Sequence, residues 1–124
     1  MHTIYVDSAN TQFTAIDGVL YKIDSNRNPI SLITYPTMKT DTTLIIPNTV
    51  TTIGDEAFLS CGKLETVVIP SSVQTIGMGA FNTCTKLTSV TIEVSDLSKL
   101  FICPYMIVKS SPIISLVIYI KTKS

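Results

Sequence analysis

The sequence predicts an α/β solenoid of stacked coils with short parallel strands, an N-terminal β-hairpin and an atypical C-terminal tail. Three observations carry this prediction. Residues 46–68 are repeated by residues 69–91 without insertion. Two β-branched runs flank a turn-forming segment near the N-terminus, and the repeat loses its register after residue 93. A fixed internal period takes precedence over local assignments, so the repeat determines the fold class.

The predicted hairpin lies within an N-terminal β-rich segment, residues 1–42. Residues 19–23 and 30–35 are apolar, and residues 24–29 contain the Asp, Asn and Pro that favour a turn. Asp24, Asn26 and Asn28 imitate the opening of a calcium loop, but proline at 29 replaces the required glycine. A plain turn is therefore predicted, and the hairpin is expected to cap or interrupt the solenoid.

Residues 43–93 are the predicted repeat region, in which Ile46 recurs as Ile69 and sets the period. Its two copies share twelve of 23 positions in the frame Ile-Pro-x-x-Val-x-x-Ile-Gly-x-x-Ala-Phe-x-x-Cys-x-x-Leu-x-x-Val. Alignment of the frame predicts parallel strands at 43–46, 66–69 and 89–92, whose β-branched residues suit a pleated surface. The Gly-x-x-Ala-Phe-x-x-Cys segment is expected to form a short helical turn, because residues three and four apart share a helix face.

Residues 94–124 form the atypical tail. A further repeat would need proline at 93 and valine at 96, where the chain has Glu93 and Asp96. Ser95 is a suitable cap for a brief helix as far as residue 101. The apolar runs 105–108 and 113–120 favour a terminal hairpin.

Two alternatives for the tail stay open. A membrane span over residues 101–120 is disfavoured, since Lys109 and Pro112 lie near its middle and charged groups are costly there. The second alternative is that the tail is a segment that does not belong to the native fold. In either case the uncharged run 113–120 has high β-propensity and needs a partner or a cover.

The repeat frame resembles the BspA-like leucine-rich repeats. Residues 15–21, followed by Tyr35 and Pro36, are similar to a second element of that family, so the resemblance covers about residues 4–92. Members are mostly surface or secreted proteins, several of them adhesive. The resemblance implies recognition at the cell surface or outside the cell. The first residues lack a signal-like charged start and apolar stretch, so a cytoplasmic location also stays open.

The residue inventory argues against catalysis, cofactors and metals. Nine basic and nine acidic residues leave no basic surface for nucleic acid, and the only histidine is His2. Cys61 and Cys84 recur with the core period, which is typical of structural thiols, and Cys103 leaves an odd number. We expect no enzyme activity, no cofactor and no metal site.

The predicted binding surface is the strand face that points away from the core. It carries two columns of residues: Thr43, Thr66 and Ser89, and Ile45, Val68 and Thr91. Hydroxyl groups beside modest apolar patches on a rigid sheet suit a protein or glycan ligand better than a deep small-molecule pocket. The favoured function is a protein-interaction or adhesion module. The alternative is a structural fragment of a larger repeat solenoid without its own ligand.

Overall fold

Ten strands form two sheets in the residues that this computed structural model describes, which are 3–94, 101–102 and 115–120. In chain order the strands are β1 (Phe13–Ile16), β2 (Val19–Ile23), β3 (Pro29–Thr34), β4 (Thr43–Ile45), β5 (Thr52–Ile53), β6 (Thr66–Ile69), β7 (Thr75–Ile76), β8 (Ser89–Val94), β9 (Phe101–Ile102) and β10 (Ser115–Ile120). One sheet has the order β1-β2-β3-β5-β7-β9 and the other β10-β8-β6-β4.

The four-stranded sheet is parallel throughout and confirms the predicted repeat register. Thr43 pairs with Thr66, and Thr66 pairs with Ser89. The backbone bond from the Ile46 amide to the Val68 carbonyl, 3.1 Å long, continues the ladder beyond β4. Each position of one coil therefore lies beside the same position of the next.

The six-stranded sheet contains the second strand of each repeat, which follows the strand in the four-stranded sheet. Strands β5 and β7 pair in parallel with Thr52 opposite Thr75, again at the same position of successive repeats, and β7 pairs in the same sense with β9. At the other end β3 pairs in parallel with β5. Each repeat therefore contributes one strand to each sheet.

The N-terminal end of this sheet is antiparallel. Strand β2 pairs with β1 on one side and with β3 on the other, with register shifts in the second pairing. The connection between β2 and β3 is closed by Asp24, whose Oδ1 accepts hydrogen bonds from the amides of Asn26 and Asn28, each 2.9 Å long. These bonds, the one from Asn28 foremost, lower the pKa of the Asp24 carboxyl. The carboxylate thus organises a turn.

The predicted short helix is absent from the described residues, and the α part of the predicted fold class is wrong there. Residues 55–60 form consecutive turns. The amides of Glu56, Phe58 and Ser60 donate to carbonyls of the next coil at 2.8 to 2.9 Å, while those of Ala57 and Leu59 donate within the turn. These two internal bonds join residues three apart, whereas an α-helix joins residues four apart. Every second backbone amide of this segment donates to the next coil, and this prevents an α-helix.

The tail also differs from its prediction. Strand β10 pairs in parallel with β8, Ser115 opposite Ser89 and Ile118 opposite Ile92, where a terminal hairpin had been expected. The other strand of that hairpin, 105–108, and the predicted helix start at 95–100 lie outside the described residues. The domain boundaries at residues 42 and 93 stay predictions. The four-stranded sheet nevertheless continues past residue 93 into β10.

The core lies between the two sheets and is built from residues at equal repeat positions. Val67 and Val90 are fully buried, as are Ile69 and Ile92, while Leu44 at the edge strand β4 is only partly buried. No polar or charged residue is buried among residues 3–93. A continuous apolar core through neighbouring coils is what a repeat needs, because a single coil cannot bury its own apolar face.

Candidate recognition face

The six predicted binding residues lie together on one side of the four-stranded sheet. Side chains alternate between the two faces of a strand, and the residues between them, such as Val67 and Val90, point into the core. Strand pairing aligns the members of each column, and the two columns lie side by side because they are two residues apart on each strand. This surface, called the outward face below, comprises Thr43, Ile45, Thr66, Val68, Ser89 and Thr91.

Accessibility changes along the outward face. Thr43 is exposed and Ile45 is 71% exposed on the edge strand β4, whereas the four residues on β6 and β8 are half-buried. A neighbouring strand on each side covers part of a side chain, which explains the difference. The edge at β4 is therefore the most accessible part of this surface.

The chemistry of the outward face is that of hydroxyls and methyl groups on a fixed grid. Adjacent strands are about 4.8 Å apart, so each column repeats at that spacing. Threonine and serine hydroxyls both donate and accept hydrogen bonds, and none of the six residues is charged. The arrangement can bind polar and apolar groups of a ligand together.

Sequence reasoning predicted a strand within residues 113–120 but missed its pairing with β8, which extends this sheet. In β10, Ser115 takes the next register position after Ser89, and Val117 the next after Thr91. A signal was present, since Ser-x-x-Ile occurs at both 89–92 and 115–118. The fixed period would place the second occurrence at 112–115, so a search at that period did not find it.

The two described thiols lie in the core and contact backbone carbonyls of the preceding coil. Cys61 and Cys84 are free and buried, and the Cys84 Sγ donates to the Phe58 carbonyl at 2.9 Å. The corresponding Cys61 Sγ lies 3.7 Å from the Tyr35 carbonyl. Hydrogen bonding with Cys84 and then burial raise the pKa of the Cys61 thiol above its ordinary value. Cys103 lies outside the described residues.

Three aspartates, Asp17, Asp41 and Asp55, have partners within the fold. The Asp55 Oδ1 accepts a hydrogen bond from the Met78 amide at 2.8 Å, which ties one coil to the next. Lys39 binds Asp41 at 2.9 Å and Asp17 at 3.8 Å, and its Nζ lies 5.9 Å from the centre of the Tyr35 ring. Within the described residues no group of three or more His, Cys, Asp or Glu side chains is placed to hold a metal ion.

The sequence profile of the BspA type leucine-rich repeat region, in six copies, matches residues 23–121, about four-fifths of the chain. The chain belongs to the BspA-type leucine-rich-repeat family. The match includes the hairpin strand β3 and extends through β10. Both strands lie outside the two repeat copies at 46–68 and 69–91.

Three solved structures resemble this BspA-type chain. A leucine-rich cell surface protein of Faecalibacterium prausnitzii is 25% identical, with a TM-score of 0.63 over 95% of this chain and 42% of that one. The pneumococcal vaccine antigen PcpA is 24% identical, with a TM-score of 0.66 over 92% of this chain and 29% of that one. A leucine-rich repeat protein of Eubacterium ventriosum is 21% identical, with a TM-score of 0.57 over 94% of this chain and 42% of that one.

The BspA-type chain spans less than half the length of each of these structures. No curated protein sequence matches it significantly. Within the described residues, no helix has the length and apolar character needed to cross a bilayer. The predicted alternative of a span over residues 101–120 overlaps strand β10, and residues 103–114 lie outside the described residues.

Proposed function

We propose that this chain is a non-catalytic recognition module that binds a protein or glycan ligand through its outward face. The observation that carries the proposal is the strand pairing that aligns Thr43, Thr66 and Ser89 in one column, with Ile45, Val68 and Thr91 beside it. Repeat proteins use extended surfaces of this kind for binding.

The geometry favours a large ligand over a small one. The outward face spans several strands and is built on a regular sheet, so it offers many weak contacts at fixed spacing and no enclosed volume. Small-molecule sites are concave and bury most of their ligand. A protein surface or an extended glycan matches the outward face better.

Family membership supports a location at the cell surface. The Faecalibacterium relative is described as a leucine-rich cell surface protein. Its likeness to this chain supports an interaction or adhesion role in the same setting. The contacts that Cys61, Asp55 and Lys39 make within the fold support a non-catalytic role.

The test is binding of the purified chain to immobilised extracellular-matrix proteins and to an array of defined glycans. The test variant, Thr66→Lys with Val68→Lys, places two charges at the centre of the outward face. The control variant, Thr52→Lys with Thr75→Lys, places them at half-buried positions of the six-stranded sheet whose neighbours Ile53 and Ile76 are buried. Circular dichroism checks that both variants fold.

We expect every ligand that the wild-type chain binds to lose at least about tenfold in affinity for the test variant and little for the control variant. Equal binding of both variants and wild type would show that the outward face is not the site. Failure of the wild-type chain to bind any member of either panel would favour the structural alternative.

That alternative is a segment of a larger repeat solenoid without its own ligand. One observation favours it, namely that the chain spans only 42%, 29% and 42% of the three similar structures. In that case the outward face supplies part of a longer surface. A longer parent protein would then bind a ligand that the present chain alone does not bind.

A further inference from the structure

A cleft on the N-terminal segment lies apart from the outward face. It has a volume of about 400 Å³ and lies against the six-stranded sheet, next to β1 and β2. Its apolar lining includes Ile4, Phe13 and Leu20, all half-buried. Leu20 belongs to the outer side of β2, because its neighbours Val19 and Tyr21 point into the core. The cleft is therefore an external site on the other sheet.

The rim of the cleft carries one aromatic ring. Tyr5 lines the cleft and is 90% exposed. An aromatic side chain with so much free surface gains little from folding, since its apolar ring stays in water. A flat ring beside an apolar floor is suited to stack against the C–H face of a sugar ring.

Two polar side chains on the same rim, Asp7 and Asn10, each have a hydrogen-bonding atom without a partner among the described residues. The Asp7 Oδ1 accepts a bond from the Ala9 amide at 2.8 Å, and none of the described residues donates to its Oδ2. The Asn10 Oδ1 accepts bonds from the amides of Gln12 and Phe13, which fixes the orientation of the amide group. Its Nδ2 makes no bond to a described residue. Within the described part of the chain, the cleft thus presents one acceptor and one donor that have no partner.

The backbone that holds these groups is itself anchored. The Ile4 amide donates to the Gly18 carbonyl at 3.1 Å, and the Arg27 Nη1 donates to the Asn10 carbonyl at 2.9 Å. The segment is thereby fixed to both connections of the β1-β2-β3 unit. A rim held in this way loses less conformational entropy on binding than a free loop would.

We propose that this cleft binds an uncharged pyranose residue, such as the end of a glycan. Tyr5 would stack on the sugar ring, Asp7 would accept from one hydroxyl, and Asn10 would donate to a neighbouring one. A pyranose has an apolar face and an edge of hydroxyls, which matches an apolar floor with a polar rim. Among the described residues that line the cleft, only Asp7 is charged, and its carboxylate disfavours acidic sugars.

The test is titration of the full chain with methyl glycosides, in which protein NMR monitors binding. The glycosides are those of glucose, galactose, mannose, N-acetylglucosamine and glucuronic acid. We expect at least one uncharged glycoside to shift the resonances of residues 4–20. Tyr5→Ala should weaken this binding about tenfold, and Tyr5→Phe should weaken it less because the ring remains. Asp7→Asn keeps the acceptor for the Ala9 amide but replaces the free oxygen, and should also weaken it about tenfold.

Two control variants separate this site from its surroundings. Asp17→Asn removes an exposed carboxylate outside the cleft and should leave glycoside binding unchanged. The Lys variant at Thr66 and Val68 should also leave it unchanged, so this proposal can fail or hold independently of the outward face. Absence of shifts with every uncharged glycoside, preference for the glucuronide, or equal binding by Tyr5→Ala would overturn the proposal.

Discussion

The rings of Phe58 and Phe81 stack face to face, with centroids 5.0 Å apart and planes inclined by 10°. They occupy the same position in successive repeats, and Tyr35 extends the stack at 5.5 Å from Phe58 with a tilt of 38°. All three side chains are almost fully buried. The stack joins three coils, with Phe58 in the middle.

Replacement of Phe58 by alanine should therefore be among the most damaging single changes in the core. Loss of a buried phenylalanine costs about 3–5 kcal/mol in unfolding free energy. Phe58→Leu should cost clearly less, since it keeps most of the volume and loses mainly the ring contacts. Urea unfolding followed by circular dichroism measures both. A loss below about 1 kcal/mol for Phe58→Ala would contradict the role of the stack.

Tyr35→Phe should stabilise the protein. The Tyr35 hydroxyl is buried and has no hydrogen-bond partner among the described residues, which is unfavourable for a polar group. Phenylalanine keeps the ring contacts with Phe58 and Lys39, so we expect a gain of about 1 kcal/mol in unfolding free energy. Tyr5→Phe, at an exposed position, is the control and should change nothing. A loss on Tyr35→Phe would show that the hydroxyl has a favourable partner.

Gly54 and Gly77, which occupy the same position in successive repeats, should tolerate alanine differently. A Cβ at Gly77 would lie 2.7 Å from the Gly54 carbonyl carbon and would also contact Asp55, whereas a Cβ at Gly54 would meet the Leu32 carbonyl oxygen at 3.3 Å. Backbone atoms of an adjacent coil cannot move away without disturbing the stack. Gly77→Ala should cost about 2 kcal/mol or more, and Gly54→Ala clearly less.

Thermal unfolding of the two glycine variants side by side checks this prediction. Because both glycines occupy the same repeat position, loss of backbone flexibility in the unfolded state is the same for each substitution. The difference between them therefore reports the contact with the neighbouring coil. Equal melting temperatures for the two variants would contradict the close approach of the coils at Gly77.

The unfolding free energy should fall in alkaline solution, in part because Tyr21 ionises. Burial, and secondly the negative charge of Asp17, raise the pKa of Tyr21 to about 12, against an ordinary value of 10.0. The unfolded chain therefore releases this proton first as the pH rises, and the contribution of Tyr21 is lost between about pH 10 and 12. Below pH 10 that contribution is fully present.

The check is urea unfolding of wild type and Tyr21→Phe at several values between pH 9 and 11.5. Phenylalanine has no proton to release, so the unfolding free energy of the variant should fall less steeply with pH. Tyr35, whose pKa burial also raises, keeps contributing in both proteins. Parallel pH profiles for wild type and Tyr21→Phe would show that Tyr21 titrates alike in the folded and unfolded chains.

The sequence predicted the parallel strands because each is specified by residues that recur at equal spacing. Val67 and Val90 must be buried together, and that requirement fixes the register of β6 and β8. The same logic extends to Tyr35, which lies one repeat before Phe58 and joins its stack. A search that allowed tyrosine at the phenylalanine position would have identified it.

Features set by contacts between coils could not be predicted from local patterns. The spacing of Ala57, Phe58 and Cys61 fits a helix, yet hydrogen bonds from Phe58 and Ser60 to the next coil replace it with turns. The pairing of β10 with β8 was missed because the offset between the two strands is longer than the repeat period. The six residues of the outward face were placed together correctly, since alternation along a strand follows directly from the buried positions. Their role in binding stays a prediction.

The central structural claim is that one cooperative stack extends through β10 and supports the outward face. Thermal unfolding of the full chain, compared with a chain ending at Glu93, tests it most directly. The account predicts a single cooperative transition for the full chain. Removal of β9 and β10, which pair with β7 and β8, should lower the melting temperature or abolish the transition. An equal or higher melting temperature for the shorter chain would contradict the claim and show that residues 94–124 do not belong to the stack.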